Sequence, residues 1–223
     1  MTASIVYSYP WSYPIAFSGV EYQDSFSRAV LNISTGIAAD MYTSVFIGTG
    51  AVESVADEAA PDMNLATQAT NGSMAHVYTQ GWPILYGRNS ISKCTITLLT
   101  EFSSAADMTM RFGVVGPYPA NEAQFRYDSS ADPDYQCRTS RDGTTATIDS
   151  GSPLLDAQTQ NLQIELDGDN EQVLFKLNGA TIATQSGASI PNPLSTFSIV
   201  LQIRNLAAAN KSMALRGLYT TYE

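Results

Sequence analysis

Hydrophobic and polar residues alternate along most of the chain beyond residue 90, a spacing typical of β-strands with one buried face. Ile96 and Leu98, for example, alternate with Thr95 and Thr97. Turn-forming residues separate the alternating segments, which favours an antiparallel sandwich. A short helix is allowed only near residues 52–64 or 104–107. The predicted strands cover residues 92–102, 108–115, 122–127, 135–139, 144–149, 162–166, 173–177, 181–184, 195–203 and 212–222.

Three dipeptides with glycine in second place mark tight turns in this part of the chain: Asp142-Gly143, Asp167-Gly168 and Asn178-Gly179. Glycine accepts a positive φ at little steric cost, so such dipeptides favour two-residue hairpin loops. We therefore expect residues 162–184 to form three short strands joined by the last two of these turns.

The first 28 residues differ from the rest because they are rich in aromatic residues and proline. Pro10 and Pro14 bracket Trp11 and Tyr13, and proline cannot donate a hydrogen bond to a ladder. Residues 1–28 are therefore predicted to be an extended arm or edge strands, lying either on their own domain or on a neighbouring subunit. Residues 29–223 are predicted to form a single β-sandwich domain, most clearly over 90–223.

The chain of 223 residues carries a formal net charge of -10 and has a pI near 4.4. Nucleic-acid binding needs clustered lysine and arginine, so this composition argues against such a partner. No apolar run approaches the roughly 20 residues of a membrane span. The start of the chain lacks the pattern of a secretory signal, so we expect the protein to fold where it is made. Cys94 and Cys137 are then expected to be free and buried, with a disulfide as the alternative.

The order of these segments resembles a concanavalin A-like lectin/glucanase jelly roll of the laminin-G or pentraxin kind. The resemblance covers roughly the last 130 residues and implies an all-β, antiparallel β-sandwich. Such modules occur in phage and virus particle proteins as well as in secreted lectins and glucanases. The matching segments are the strand at 94–101, the polar turn at 103–107, the strands at 110–115 and 123–127, the hairpin at Asp142-Gly143, the strand at 162–166, the hairpin at 173–184, and the closing strands at 197–203 and 213–222.

A glucanase of this superfamily would need two carboxylates on one sheet face, and alternation places Glu165 and Asp167 together. The next acidic position of the pattern falls on Asn170 in a predicted turn, so we expect a solvated strand end without catalysis. His76 is the chain's one histidine and is expected to be a structural polar residue. We therefore predict that the protein is not an enzyme.

No cofactor is expected, with calcium as the alternative because the superfamily often uses it. The oxygen-rich segments at 128–134 and 167–170 are the candidates, although aspartate and asparagine also suit turns. Zinc is not expected, because His76, Cys94 and Cys137 lack ligand spacing. Glycan recognition uses aromatic platforms, for which Trp82, Tyr118 and Tyr135 are candidates, although the apolar surroundings of Trp82 also suit a core position.

The leading hypothesis from the sequence is a virion structural protein, most simply a capsid decoration or spike (turret or fibre) protein. It would form a homo-oligomer such as a trimer, contact capsid or tail proteins, and display a surface open to host glycans. The alternative is a carbohydrate-binding module or a divergent glycoside hydrolase. In the leading hypothesis, aromatic side chains of the arm anchor the assembly. These are Tyr7, Tyr9, Trp11, Tyr13 and Phe17.

Overall fold

The computed structural model describes residues 64–77, 92–116, 121–193, 195, 197–215, 218, 220 and 221 in full, and elsewhere the backbone of strands alone. The strands are β1 (Ile5–Ser8), β2 (Ser12–Ile15), β3 (Glu21–Asp24), β4 (Tyr42–Ile47), β5 (Ala51–Val55), β6 (Asp62–Ala66), β7 (Met74–Thr79), β8 (Lys93–Phe102), β9 (Met108–Val115), β10 (Glu122–Asp128), β11 (Asp132–Arg141), β12 (Thr144–Pro153), β13 (Gln160–Asp167), β14 (Gln172–Leu177), β15 (Ala180–Ser186), β16 (Ser198–Asn205) and β17 (Ser212–Tyr222).

Two antiparallel sheets form a jelly-roll β-sandwich, which confirms the predicted fold class. One sheet has seven strands in the order β12-β11-β10-β9-β16-β7-β4. The other has eight, in the order β15-β14-β13-β8-β17-β6-β5, with β3 also paired to β17. Within the described part of the chain, no helix is long and apolar enough to span a membrane.

Every strand predicted beyond residue 90 is present. The prediction succeeds because hydrophobic residues of the alternating segments are the ones that the sheet buries: in β8, buried and partly exposed positions alternate without exception. The short helices allowed by the sequence are wrong. Residues 51–55 and 62–66 are strands, and residues 104–107 form a turn before β9.

Two of the three predicted turns have the expected geometry, with positive φ at Asp142 and Gly143 (48° and 87°) and at Asn178 and Gly179 (51° and 83°). The prediction for Asp167-Gly168 is wrong. Asp167 stays in the ladder opposite Gln172, and the positive φ of 49° falls on Glu171, at the end of a longer loop. The reason is that the Asp167 carboxylate accepts hydrogen bonds from the backbone and side chain of Asn170 and so organises that loop.

The core lies between the two sheets, and aromatic rings join them. Phe125 on β10 packs edge-on against Phe175 on β14 with ring centroids 5.2 Å apart, and against Tyr135 on β11 at 5.7 Å. Buried polar contacts also cross the core, since Thr139 on β11 donates to Gln185 on β15. Cys94 and Cys137 are both buried and do not form a disulfide with each other, as predicted.

The N-terminal segment contains two kinds of strand. β1 and β2 form a two-stranded sheet of their own, in which Tyr7 and Tyr13 are cross-strand neighbours. β3 pairs instead with β17 and therefore belongs to the eight-stranded sheet.

Candidate functional site

A polar cleft of about 360 Å³ crosses the outer face of the seven-stranded sheet. It forms because β9, β10, β11 and β16 turn their apolar residues into the core and leave polar residues at the alternate positions. The cleft is lined by Thr109, Met110, Arg111, Arg126, Tyr127, Asp128, Gln136, Arg138, Thr147, Gln202 and Arg204.

The strand registers place one row of polar residues straight across the sheet: Gln136, Arg126, Arg111, Gln202 and His76 are successive cross-strand partners. Neighbouring strands lie about 4.8 Å apart, so the row is roughly 20 Å long. It combines guanidinium and amide groups, both of which can hydrogen-bond to a bound polar molecule.

Four arginines follow a diagonal across this face, one from each of four adjacent strands. Arg126 and Arg111 share the central row. Arg138 lies two residues from Gln136 along β11, and Arg204 lies two residues from Gln202 along β16, on the opposite side of the row. The diagonal between the Arg138 and Arg204 Cα atoms is about 20 Å long.

One buried carboxylate holds two of these arginines in place. Oε1 of Glu122 accepts a hydrogen bond from Nη2 of Arg126 at 2.8 Å and lies 2.8 Å from Nε of Arg138. Nε of Arg126 also donates to Gln124. Glu122 is only 6% exposed, so this pairing fixes Arg126 and Arg138 against the sheet.

The other two arginines, Arg111 and Arg204, are exposed, and no carboxylate of the described residues lies within 4.0 Å of either.

The positive charges of the cleft lower the pKa values of neighbouring basic groups. Burial lowers the pKa of Arg126 to about 10, an effect that Glu122 opposes and that Arg111 and Arg138 reinforce. Burial also lowers the pKa of His76, and the charge of Arg111 lowers it further.

The middle of the sheet face has no side chain at Gly113, which lies between Gln124 and Val200 on neighbouring strands. A Cβ atom at this position would lie 2.1 Å from the backbone oxygen of Ala123. Glycine is therefore required here for β9 and β10 to approach each other.

The carboxylates suggested by the glucanase-like pattern are far from this cleft, on β13 of the other sheet. Glu165 forms an ion pair with Lys176 at 2.5 Å, and Asp167 is 1% exposed. In the cleft, Asp128 is six positions from Glu122 along β10, a separation of about 20 Å.

Three carboxylates at the β11–β12 end of the sheet come within 4.8 Å of one another: Asp132, Asp134 and Asp149. Asp132 and Asp134 belong to the first predicted calcium segment. Partial desolvation, followed by the neighbouring charges of Asp149 and Asp132, raises the pKa of Asp134. Oxygens of Asp132 and Asp149 also accept hydrogen bonds from Gln136 and from the Gly151 backbone. These residues could hold a cation, and calcium remains a prediction.

Tyr135 does not contact a glycan, which corrects the prediction for this residue. It is fully buried, and its hydroxyl donates to Gln160 at 2.8 Å inside the core. The sequence contained a signal for this, because Tyr135 alternates in phase with the buried Cys137. Trp82, Tyr118, Tyr9, Trp11 and Phe17 lie outside the described residues, and for Tyr7 and Tyr13 the backbone alone is described.

Sequence reasoning missed the arginines. Each occupies a polar position of a predicted strand or lies just beyond its end, but the alternation does not indicate which strands are neighbours. The cleft is recognisable only from the sheet order.

No family model matches the chain, and no curated protein matches it. Solved structures do match over most of its length. A family 16 endo-glucanase from Bacteroides ovatus has a TM-score of 0.62 at 10% identity, covering 90% of this chain and 99% of that one. The pseudo beta-1,3-glucanase of Mycobacterium tuberculosis has a TM-score of 0.62 at 11% identity, with coverages of 90% and 98%. The carbohydrate recognition domain of Emp46p has a TM-score of 0.59 at 11% identity, with coverages of 89% and 97%. The chain therefore has the concanavalin A-like fold.

Proposed function

We propose that this concanavalin A-like sandwich is a carbohydrate-binding domain that holds its ligand in the cleft of the seven-stranded sheet. The observation that carries the proposal is the row from Gln136 to Gln202, in which four adjacent strands each contribute a hydrogen-bonding side chain to the lining of the cleft. Sugars are recognised by such planar donors and acceptors. The similarity to a lectin carbohydrate recognition domain and to glucanases supports this proposal.

The proposal is for binding without catalysis. Glu122 is the buried carboxylate nearest the centre of the cleft, and two arginines already occupy it. A general acid must reach the leaving-group oxygen, and a carboxylate engaged by two arginines of the protein itself is not available to do so.

Binding can be measured by titrating the protein with neutral and acidic oligosaccharides, while reducing-end release reports turnover. We expect Gln202→Ala to weaken binding of the best ligand about tenfold, because Gln202 lines the centre of the cleft. Gln163→Ala is the matched control, since Gln163 lies on β13 of the other sheet. Equal effects of the two substitutions would contradict the location, and reducing-end release would contradict the absence of catalysis.

A virion role remains a second proposal, favoured by the pairing of β1 and β2 with each other and with neither sheet of the sandwich. A separate hairpin of this kind suits an arm that contacts another subunit or a capsid protein. Deleting residues 1–17 should then lower the number of subunits per assembly, obtained by dividing the molar mass from light scattering by the mass of the shortened chain. An unchanged number of subunits and unchanged particle binding would contradict the role of the arm.

A further inference from the structure

We infer that the cleft binds an anionic glycan, whose uronate carboxylates or sulfate esters are held by the arginines on the diagonal from Arg138 to Arg204. The inference rests on the proposed carbohydrate-binding function and specifies its ligand class. Carboxylate and sulfate share the chemistry that matters here, a negatively charged group with several acceptor oxygens.

Basic residues of the chain are concentrated in this cleft. Four of the eleven basic residues of the chain line this one cleft, although the chain as a whole has a net charge of -10. Asp128 is the single carboxylate among the lining residues. Glu122 offsets Arg126 and Arg138, and Asp132 and Asp149 flank Gln136 at one end of the cleft, so the positive charge that attracts an anionic group is concentrated at Arg111 and Arg204.

Among the described residues, two of the four arginines have no compensating carboxylate. Arg111 and Arg126 are direct cross-strand partners, and like charges at such positions destabilise a sheet. Glu122 compensates Arg126 and Arg138 but does not reach Arg111. No carboxylate of the described residues pairs with Arg111 or Arg204, so an anionic ligand would place a counter-charge beside them, whereas a neutral sugar would not.

The basic residues that line the cleft are all of one type. All four cations are arginines, and none of the lysines of the chain lines the cleft. Arginine presents a planar fork of donors that matches a carboxylate or sulfate with two parallel hydrogen bonds. Spacing one arginine per strand along about 20 Å suits a polymer with charges repeated along its length.

A nucleic acid is the less suitable polyanion. A strand of nucleic acid carries a phosphate charge at every nucleotide, and the net charge of -10 repels the parts of such a strand that extend beyond the cleft. Binding of single-stranded DNA is therefore measured alongside binding of the glycans in the test that follows.

The test compares ligands that share a backbone and differ in charge. Polygalacturonate and its methyl ester provide the carboxylate arm, and dextran sulfate and dextran provide the sulfate arm. Single-stranded DNA of similar length is the non-glycan polyanion. Binding of the full chain is measured by biolayer interferometry at about 0.15 M salt, where long-range repulsion is screened.

We expect at least one charged glycan to bind ten times or more tightly than its neutral partner and than the DNA. Arg111→Gln and Arg204→Gln should each weaken this binding about tenfold, and Arg111→Lys should restore only part of it. Arg141→Gln is the matched control, because Arg141 is exposed beside Asp142 at the β11–β12 turn and its loss changes the net charge equally. It should change affinity less than twofold.

Thermal unfolding of each variant establishes that it is folded, and mass spectrometry after arginine-specific labelling provides a second measurement. The charged glycan should protect Arg111 and Arg204 but not Arg141.

The possible failures are distinguishable. If neutral and charged glycans bind equally and the arginine variants behave like the native chain, the inference is wrong while carbohydrate binding stands. If no glycan binds, both proposals are wrong. If DNA binds as tightly as the charged glycans, or if Arg141→Gln weakens binding as much as Arg111→Gln, the charge acts without recognising a glycan and the inference is overturned.

Discussion

Arg111 on β9 lies directly opposite Arg126 on β10, so two guanidinium groups share one cross-strand position near the middle of the cleft. Sheets avoid like charges at such positions because the side chains approach closely. Arg126 tolerates the contact because it also pairs with Glu122. Arg111 has no carboxylate partner among the described residues, so its contribution to folding is expected to be unfavourable.

Removing this repulsion should make the protein more stable. We expect Arg111→Gln to raise the free energy of unfolding by about 0.5 kcal/mol at low ionic strength, and the gain should shrink as salt screens the charges. Urea unfolding at low and high salt measures both effects. A loss of stability that is independent of salt would show that Arg111 packs favourably, contrary to the prediction.

Removing the compensating carboxylate should have the opposite effect. Glu122→Gln leaves Arg126 and Arg138 without a counter-charge in a largely buried position, and we expect a loss of roughly 2 kcal/mol in the free energy of unfolding. Asp142→Asn is the control, because the Arg141–Asp142 pair is exposed and should contribute less than about 0.5 kcal/mol. Similar losses in the two variants would contradict a special role for Glu122.

Asp167 should make the protein sensitive to acid. Burial by itself raises the pKa of Asp167, but hydrogen bonds from Asn170 and Gln172 and the charge of Lys93 outweigh it and hold the pKa below the usual 3.8. The folded state therefore favours the ionised form of Asp167. The stability that this carboxylate contributes is fully present above its pKa in the unfolded chain, and it is lost as the pH falls through its lower pKa in the folded protein.

The measurement is urea unfolding from pH 7 down to about pH 2. Below about pH 4 the native chain should lose stability more steeply than Asp167→Asn, which has no carboxylate to protonate there. Parallel curves for the two proteins would show that Asp167 is not responsible.

The turn geometry predicts opposite effects for two substitutions. Gly179 has a φ of 83°, so Gly179→Ala should cost about 1 kcal/mol in the free energy of unfolding. Glu171 has a φ of 49°, a left-handed conformation that is unfavourable for a residue with a Cβ atom. Glu171→Gly removes this cost and should therefore leave the free energy of unfolding unchanged or raise it. Thermal or urea unfolding distinguishes the two, and a large loss in Glu171→Gly would contradict the observed loop.

The thiols should be unreactive in the folded protein. Burial, and then the charge of Asp149, raises the pKa of Cys137 to about 12, and Cys94 is also buried. A colorimetric thiol reagent at pH 8 should therefore react with neither cysteine in the native state and with both in urea. Cys137→Ala should leave one reactive thiol in urea, and rapid reaction of the native chain would contradict the prediction.

Sequence patterning predicted the strands well because alternation reports burial on a pleated sheet. It also placed the hairpins at Asp142-Gly143 and Asn178-Gly179 correctly. It misplaced the turn after Asp167, since the determining contact is the hydrogen bonding of that carboxylate to Asn170 and not the preference of Gly168.

The cleft could not be predicted in the same way. Arg111 and Arg204 are distant in sequence, and they share a face only because β16 pairs with β9. Alternation assigns a residue to a face but says nothing about the order of strands. The error at Tyr135 was of a different kind, because its phase relation to Cys137 already indicated the core.

The position of β17 between β8 and β6 has a consequence for the order of events during synthesis. Among the described strands β17 leaves the ribosome last, yet it supplies the central partner for β3, β6 and β8. Until it arrives, these earlier strands expose unpaired edges that other chains can bind. The sandwich is thus expected to fold slowly and only once β17 has been synthesised, with nascent chains dependent on chaperones until that strand is inserted.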